Sequence, residues 1–242
     1  MEDELYRKFY EVETRHWWFV ARQRIIEDLI VRKAGIERGS RVLDIGCGTG
    51  AVLASFSQRY EAYGTDTSPL AIEFCRKRGL QNAYEGTLSS LPHPELKFDL
   101  VLLLDVIEHI DDDVAMLKDA SNVLKPGGLA LITVPAYQFL WSRHDTLNFH
   151  KRRYVKSQLR QVVEQAGLKI EFATYFNTFL FPLALVGRLF EKLFQGTTDR
   201  TLDLPPKPVN ALLTATFSFE KNFIGNIPLP FGLSIIAMAR KR

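Results

Sequence analysis

The sequence predicts an α/β fold built on a doubly wound, mostly parallel sheet. Between residues 41 and 134, short apolar runs typical of buried strands alternate with segments of helical periodicity. The run at residues 98–104 is almost continuously apolar, as strands buried on both faces of a parallel sheet are. The strand at residues 42–45 leads into a turn with three glycines, which predicts a nucleotide-like ligand at the end of that strand.

The helices are predicted from apolar residues at helical spacing and from residues typical of helix ends. Ile25, Ile26 and Leu29 recur at helical spacing in an aromatic-rich N-terminal segment. Ser68 followed by Pro69 is a favourable N-cap and first helical position. The predicted helices are residues 4–35, 51–59, 68–79, 111–124, 155–166, 176–195 and 209–223.

The predicted strands are short apolar segments between turn residues, residues 42–45, 62–65, 82–85, 98–104, 129–134, 168–175 and 232–239. Two segments are predicted to lack strands: an aromatic and basic loop at residues 135–154 and a polar, proline-rich stretch at residues 196–208. We expect a single domain with three parts. These are N-terminal helices (1–38), a cofactor-binding core (41–134) and an acceptor-side region (135–242).

The composition excludes several classes of protein. The 242 residues are 46% hydrophobic with a formal net charge of +3, which does not by itself indicate nucleic-acid binding. Two cysteines, Cys47 and Cys75, are too few for a disulfide framework, and we predict no metal site. The N-terminus lacks the apolar core of a signal peptide, and no apolar run reaches the roughly 20 residues of a membrane span. We therefore expect a cytoplasmic protein.

Two classes of cofactor compete for the glycine turn. Gly46 and Gly48, with Ala51, also satisfy the loose fingerprint of dinucleotide-binding folds. Asp44, two places before the first glycine, would repel a pyrophosphate and suits a ligand that carries an ammonium group. Asp66, at the end of the second strand, can accept hydrogen bonds from both hydroxyls of a ribose in either class.

Five segments taken together resemble the class I S-adenosylmethionine-dependent methyltransferases. They are Val42-Leu-Asp44-Ile-Gly46-Cys-Gly48-Thr-Gly50, Asp66, Phe98-Asp99-Leu-Val, Val106-Ile-Glu108-His109 and Leu124-Lys-Pro-Gly-Gly128-Leu. The resemblance implies a Rossmann-like sheet of seven strands with the last strand antiparallel, and S-adenosylmethionine as cofactor. It also implies that the glycine loop holds the methionine part, that Asp66 holds the ribose, and that the end of the fourth strand lies near the sulfonium.

The adenine end departs from the family pattern. Thr87 stands where many members have an acid, so we expect backbone groups at Thr87 and Leu88 to meet the adenine. We interpret Cys47 as a small loop residue rather than a nucleophile, because nothing indicates a lowered pKa.

Residues 15–24 resemble a lid helix found in a bacterial subgroup of the family. Trp17 or Trp18 would shield the sulfonium, and Arg22 or Arg24 would pair with the methionine carboxylate. The alternative is that the tryptophans are core residues and the arginines are solvated. The predicted cofactor contacts are Trp17, Arg24, Asp44, Gly46, Cys47, Gly48, Gly50, Asp66, Thr67, Thr87, Leu88, Asp105 and Val106.

Three histidines are candidate catalytic bases: His109, which follows the fourth strand, and His144 and His150, which follow the fifth. A hydroxyl acceptor benefits from a base whose pKa is near neutrality, and in-line methyl transfer depends on positioning. The alternative is that these rings bond only to loop backbone. The basic residues 151–153 either bind an anionic group of the acceptor or are solvated.

We expect a methyltransferase that acts on a small or lipid-like acceptor, with oxygen as the expected atom. An RNA or protein methyltransferase is disfavoured by the mild charge. A non-catalytic cofactor-binding protein remains an alternative, and a nicotinamide dehydrogenase is disfavoured by Asp44. Residues 176–195 carry more apolar side chains than one helix face needs. This surplus would contact a second copy of the chain, an acceptor or a membrane surface.

Overall fold

The computed structural model describes residues 3–93, 95–194 and 202–242, and within 188–194 it describes the backbone alone. Strands in this part of the chain are β1 Arg41–Ile45, β2 Glu61–Asp66, β3 Ala83–Glu85, β4 Phe98–Leu104, β5 Leu124–Pro135, β6 Leu168–Phe176 and β7 Ser234–Lys241. They form one sheet in the spatial order β3-β2-β1-β4-β5-β7-β6. Strands β1 to β5 pair in parallel, and β7 runs antiparallel to both β5 and β6. The predicted seven-stranded fold with an antiparallel last strand is confirmed.

Helices cover both faces of the sheet. They are α1 Asp3–Val12, α2 Trp17–Leu29, α3 Ala51–Phe56, α4 Pro69–Lys77, α5 Asp113–Val123, α6 Arg143–Leu147, α7 Lys156–Gln165, α8 Phe181–Phe194 and α9 Lys207–Phe219. Successive strand residues point to opposite faces. Leu102 therefore joins the core under α2 and α9, whereas Leu103 joins the core under α5 and α7. Because both faces are covered, β4 is apolar throughout.

Some boundaries differ from the prediction, and each difference has a local cause. The N-terminal helical segment is broken at His16, whose ring accepts a hydrogen bond from the Trp18 backbone and so caps α2. Strand β5 begins at Leu124, earlier than predicted, because Leu124 pairs with Phe98 before the register shifts. The predicted loop at 135–154 contains α6, whose first turn is capped by Ser142.

Part of the predicted proline-rich stretch lies outside the described residues, because residues 195–201 are not described. Over the described ranges, none of the helices is both long enough and apolar enough to cross a bilayer.

The carboxyl ends of the parallel strands define one edge of the sheet. At β1 and β4 the strand order reverses, and α/β folds bind their ligands beside such a reversal. The non-glycine residues with positive φ in the described chain all lie in loops at this edge: Asp105, Tyr137, Phe149 and Asn177, with φ of 56–59°. Left-handed backbone is unfavourable for such residues and concentrates at functional sites. This edge of the sheet is therefore the candidate functional site.

Candidate active site

The loop after β1 is fixed at both ends and open in its middle. Gly46, Gly48 and Gly50 have φ of 69°, 55° and 86°. A Cβ added to Gly46 would lie 2.8 Å from Cγ2 of Val106, and one added to Gly50 would lie 2.8 Å from Sγ of Cys75. A Cβ at Gly48 would meet no atom within 4 Å. The middle of the loop therefore offers bare backbone to a ligand, as a cofactor cradle requires.

Asp44 lies behind this loop and is only 2% exposed. Burial raises the pKa of its carboxyl to about 7, although the positive charge of Arg22 opposes the shift. A buried carboxyl of this kind is poised to gain from a cationic partner, because the partner would favour its ionised form. The arrangement suits a ligand with an ammonium group.

Arg22 of α2 reaches the same edge from above the sheet. Its guanidinium lies 2.6 Å from Oδ2 of Asp105 and donates to Oγ1 of Thr133 at 3.0 Å. Its Nε is buried and has no hydrogen-bond partner among the described residues. One donor of a buried arginine is therefore free for a ligand, and a carboxylate is its strongest acceptor.

The contact of Arg24 with the cofactor stays a prediction, but the two candidate arginines differ in burial. The Arg24 side chain is exposed, whereas Arg22 is 8% exposed. Arg22 lies three and four residues before Ile25 and Ile26, which are fully buried. Residues at that spacing share one helix face, and a residue two places along does not.

The structure likewise separates the two tryptophans. Trp17 packs edge-to-face on Phe217 of α9, with ring centroids 6.1 Å apart, and both tryptophans are partly buried against the core beneath α2 and α9. The guanidinium of Arg22 lies 5.0 Å from the ring centroid of Trp18. Trp18 is therefore the tryptophan that contacts Arg22, whereas the contact of Trp17 with the cofactor stays a prediction.

Helix α1 lies across the glycine loop, which the sequence did not indicate at the level of residues. Asp66 accepts hydrogen bonds from the Gly48 and Ser68 backbone at 2.9 Å, and the Tyr6 hydroxyl lies 3.3 Å from its Oδ1. Glu13 accepts a hydrogen bond from Oγ1 of Thr49 and pairs with Arg78 at 2.6 Å. Tyr6, Glu13 and Arg78 are the residues of this edge that sequence reasoning missed.

The ends of β2 and β3 form the other side of the cradle. The Gly86 backbone donates to the Asp66 carbonyl at 2.8 Å, which places Thr87 beside Asp66. Thr67 and Thr87 are exposed and Leu88 is half-buried. Cys47 is buried with its Sγ 4.0 Å from that of Cys75. The Cys75 contact and burial raise the pKa of the Cys47 thiol, so it is not an activated nucleophile.

The three predicted histidines form one cluster next to this cradle. The rings of His109 and His150 meet edge-to-face with centroids 4.8 Å apart, and His144 lies 6.3 Å from His150. The Lys151 backbone donates to the Glu108 carbonyl at 2.8 Å. This bond ties the end of β4 to the loop before α7, so the histidines come together although 40 residues of sequence separate them.

His150 is oriented by a buried carboxylate. Its Nδ1 lies 2.9 Å from Oδ1 of Asp145, which also accepts from Nε of Arg153 at 2.7 Å. Burial alone would raise the pKa of Asp145. Hydrogen bonds from His150 and Arg153 outweigh burial and hold that pKa well below its usual range. Asp145 is therefore ionised and fixes the imidazole of His150, leaving Nε2 free to act.

Glu108 completes the cluster, and sequence reasoning missed it. The residue is fully buried, and neither carboxyl oxygen has a hydrogen-bond partner among the described residues. Burial, and then the charge of Asp105, raise the pKa of Glu108 well above its usual range. Burial, and then the charge of His150, lower the pKa of His109 to about 4. His109 is thus neutral at physiological pH.

The basic residues beside the cluster are engaged in ion pairs. Lys151 pairs with Asp111, Arg152 with Asp113 at 3.0 Å, and Arg153 with Asp145 at 2.7 Å. These pairs anchor the loop, which favours a structural role for residues 151–153 over a role in binding an anionic acceptor.

Comparisons of sequence identify the family. Residues 18–172, more than half of the chain, match the family model described as a methyltransferase domain. A probable S-adenosylmethionine-dependent methyltransferase of Mycolicibacterium smegmatis is 30% identical over 162 residues, which are 64% of this chain and 61% of that protein. A ubiquinone biosynthesis O-methyltransferase of Dinoroseobacter shibae is 33% identical over 190 residues, 69% of this chain and 71% of that protein.

A demethylmenaquinone methyltransferase of Tropheryma whipplei is 30% identical over 146 residues, 58% of this chain and 59% of that protein. The chain thus matches about three fifths of the length of the Mycolicibacterium and Tropheryma proteins.

Solved structures share the fold. A TehB-like S-adenosylmethionine-dependent methyltransferase of Corynebacterium glutamicum is 21% identical with a TM-score of 0.54, covering 92% of this chain and 88% of that chain. The [4+2]-cyclase SpnF is 22% identical with a TM-score of 0.58, covering 90% of this chain and 80% of that chain. At these identities the likeness extends to the fold alone. Since the family match covers the cradle and the strands around it, the chain belongs to the class I S-adenosylmethionine-dependent methyltransferases.

Proposed function

We propose that the protein transfers a methyl group from S-adenosylmethionine to a hydroxyl oxygen of a small or lipid-like acceptor. The observation that carries the proposal is the His150–Asp145 pair. The ring of His150 contacts the ring of His109 at the end of β4. A histidine held by an ionised carboxylate is the arrangement that removes a proton from a hydroxyl group.

The cradle fits the cofactor. The open space at Gly48 and the free Nε of Arg22 are the two observations that support the fit. Asp44 and Asp105 would hold the ammonium group, Arg22 the methionine carboxylate and Asp66 the ribose. Thr87 and Leu88 would border the adenine. When bound, S-adenosylmethionine supplies an electrophilic methyl group on its sulfonium sulfur.

His150 would handle the proton of the acceptor. Because Nδ1 is bound to Asp145, Nε2 is the nitrogen available to take the hydroxyl proton. The carboxylate of Asp145 then stabilises the imidazolium that forms. His150 would also orient the acceptor oxygen toward the methyl group that the cofactor would supply, because in-line transfer depends on positioning. General-base assistance of this kind contributes roughly 10²- to 10⁴-fold in rate.

An apolar acceptor is supported by an aromatic rim, which we define as Tyr137, Phe139, Tyr175, Phe181 and Phe231. Tyr137 stacks on Phe139 and Tyr175, with centroids 5.2 and 5.0 Å apart, and Phe181 lies 5.3 Å from Phe231. Phe139 is 61% exposed. Tyr137 and Phe139 follow β5, Tyr175 lies at the end of β6, and Phe181 and Phe231 lie between β6 and β7. Relatives named for demethylmenaquinone and for ubiquinone biosynthesis also favour an aromatic, lipid-like acceptor.

The experiment offers the purified protein S-adenosylmethionine together with matched acceptors. These are hydroxylated aromatics with and without an isoprenoid tail, and analogues with an amine in place of the hydroxyl. Mass spectrometry finds the product that gains the mass of one CH2, and fragmentation locates it. We expect methylation of oxygen in a tailed acceptor. His150→Ala should lower the rate by roughly 10²-fold or more.

His93→Ala is the matched control, because His93 is exposed and its ring lies 3.4 Å from Glu95, outside the proposed site. Both variants should bind S-adenosylhomocysteine as the wild type does. Methylation at nitrogen or carbon would contradict the oxygen assignment. Tight cofactor binding with no transfer to any acceptor would favour a non-catalytic role.

A further inference from the structure

We propose that Glu108, His109 and His150 form a binding site for a divalent transition-metal cation. Each side chain offers one ligand atom, and these atoms lie within 4.8 Å of one another. The ligands come from two segments, the turn after β4 and the loop before α7. The proposal goes beyond methyl transfer, because an ion can bind here whether or not a methyl group is transferred.

The chemistry of the ligands indicates the class of ion. Two imidazoles and one carboxylate form the donor set of open zinc and non-haem iron sites, which keep further positions for substrate. In a tetrahedral site with bonds of about 2.1 Å, neighbouring ligand atoms are about 3.4 Å apart. The observed limit of 4.8 Å therefore requires the ligand atoms of a pair to approach each other by at most about 1.4 Å, which rotation of the side chains can supply.

Glu108 supplies an independent observation. Both of its carboxyl oxygens are fully buried without a hydrogen-bond partner in the described part of the chain. An unpartnered carboxyl in the interior is costly. One nitrogen of His109 and one of His150 lie within 4.8 Å of this carboxyl group. A cation placed between these three side chains would provide the partner that Glu108 lacks.

The groups behind the ligands resemble the supporting groups of metal sites. A metal-binding histidine generally donates its second N–H to a carboxylate or a carbonyl group, which fixes the ring. His150 has Asp145 at 2.9 Å from Nδ1, and the ring of His109 bonds to the Phe149 carbonyl. The 2.8 Å bond between the Lys151 backbone and the Glu108 carbonyl holds the two ligand-bearing segments together.

A bound cation would change how the acceptor is activated. With Nε2 of His150 coordinated, the ring is a ligand rather than a base. An acceptor hydroxyl on an open position of the ion would then become more acidic, because a divalent cation stabilises the bound alkoxide or phenolate. The metal-bound and the metal-free protein would use the same residues, but a chelator would change the activity of the metal-bound protein alone.

The test measures binding directly on the full chain. Protein stripped with a chelator is titrated with Zn²⁺ in competition with a chromophoric chelator. We expect one ion per chain. Glu108→Gln and His109→Ala should each weaken binding at least tenfold. Asp145→Asn should weaken it by roughly 10- to 100-fold, because it frees the His150 ring. His93→Ala is the control and should bind as the wild type does. Binding of S-adenosylhomocysteine reports that each variant is folded.

A second measurement needs no substitution. The wild-type protein loaded with Co²⁺ should show visible bands of nitrogen and oxygen ligation and hyperfine-shifted resonances of two imidazoles. Three outcomes would overturn the proposal: no Zn²⁺ binding by the wild type, unchanged affinity in folded Glu108→Gln and His109→Ala, or a thiolate charge-transfer band. The last would place the ion at Cys47 and Cys75. None of these outcomes bears on methyl transfer, which the acceptor experiment tests separately.

Discussion

Arg22 and Asp44 give the cofactor edge its charge. Arg22 is buried and bound to Asp105 and Thr133, with one donor left over. Asp44 is buried beneath the glycine loop. One residue suits a carboxylate and the other an ammonium group, which are the two charged ends of an amino acid. Each can be tested by itself, because the two side chains act on different parts of the ligand.

Replacing Arg22 should weaken cofactor binding, whereas replacing Arg24 should not. Arg22→Gln removes a charge-assisted hydrogen bond, worth about 1.5–3 kcal/mol, or roughly 10- to 150-fold in affinity. Arg24→Gln changes an exposed side chain on the same helix and is the matched control. Calorimetric titration with S-adenosylhomocysteine measures both. Equal affinities of the two variants would contradict the role of Arg22.

Cofactor affinity should depend on pH through Asp44. Its pKa is about 7 in the folded protein, so the carboxyl is largely protonated at pH 6 and largely ionised at pH 8. An ammonium group prefers the ionised form, and affinity should therefore rise about tenfold between these pH values. Calorimetry of S-adenosylhomocysteine across this range measures the change. Asp44→Asn should bind weakly without this dependence.

Methylthioadenosine, which lacks the amino-acid part, is the matched ligand control. Its affinity should stay flat across the same range. A flat profile for S-adenosylhomocysteine on the wild-type protein would remove the ammonium role of Asp44.

Among the elements, the turn that follows α9 braces the loop after β6. Glu220 is fully buried and accepts hydrogen bonds from the Thr178 and Phe179 backbone at 2.6 and 2.8 Å. Its second oxygen is buried without a partner in the described chain. Burial raises the pKa of Glu220 to about 7, even though these backbone bonds oppose the shift. The fold is therefore more stable with Glu220 protonated, because burial of the ionised carboxylate costs more than these bonds return.

Stability should fall between about pH 4.5 and 7 because of Glu220. The folded pKa lies above the unfolded value, so this residue's contribution is complete below the unfolded pKa and is lost as pH rises through the folded pKa. Glu220→Gln keeps the accepting oxygen and cannot ionise. It should raise the free energy of unfolding at pH 8, relative to wild type, by up to about 3 kcal/mol.

Urea denaturation at pH 4.5 and pH 8 measures the effect, and the two proteins should be equally stable at the lower pH. Glu37→Gln, which changes an exposed carboxylate, is the control. If the variant is no more stable than wild type at pH 8, the ionised Glu220 carboxylate has a stabilising partner that is absent from the structure.

For the whole molecule, the surface near the acceptor side is unusually apolar. Phe139, Leu183 of α8 and Leu212 of α9 are 61%, 64% and 67% exposed. The aromatic rim lies beside Leu183, because Phe181 belongs to both the rim and α8. An apolar surface beside the site proposed for a lipid-like acceptor fits contact with a bilayer. The side chains of residues 188–201 lie outside the described part of the chain.

Vesicle binding should depend on this surface and not on exposed apolar residues elsewhere. Burying one exposed leucine or phenylalanine contributes about 1.5–3 kcal/mol, so Leu183→Asp and Phe139→Asp should each lower partitioning roughly tenfold or more. Val31→Asp is the matched control, since Val31 is 58% exposed and precedes β1 at the opposite edge of the sheet. Flotation with anionic vesicles measures the bound fraction. Equal flotation of all three variants would remove the membrane interpretation.

The sequence by itself determined the sheet and the cofactor loop. Strand β4 is apolar because both faces of a parallel sheet are buried, and the turn at Gly46–Gly50 needs glycine because its φ values are positive. These are local requirements, so they can be read from adjacent residues. The three candidate histidines were also found from sequence, because each follows a predicted strand at the carboxyl edge.

Only the tertiary structure decided which side chains act together. Arg22 rather than Arg24 faces the site because α2 packs on the sheet with the face that carries Ile25 and Ile26. Asp145 meets both His150 and Arg153 because two loops about 40 residues apart close over β4 and β5. The same closure buries the Glu108 carboxyl without a hydrogen-bond partner among the described residues. Helix α1 covers Asp66 through Tyr6. Contacts of this kind depend on how elements dock, and no periodicity along the chain encodes that.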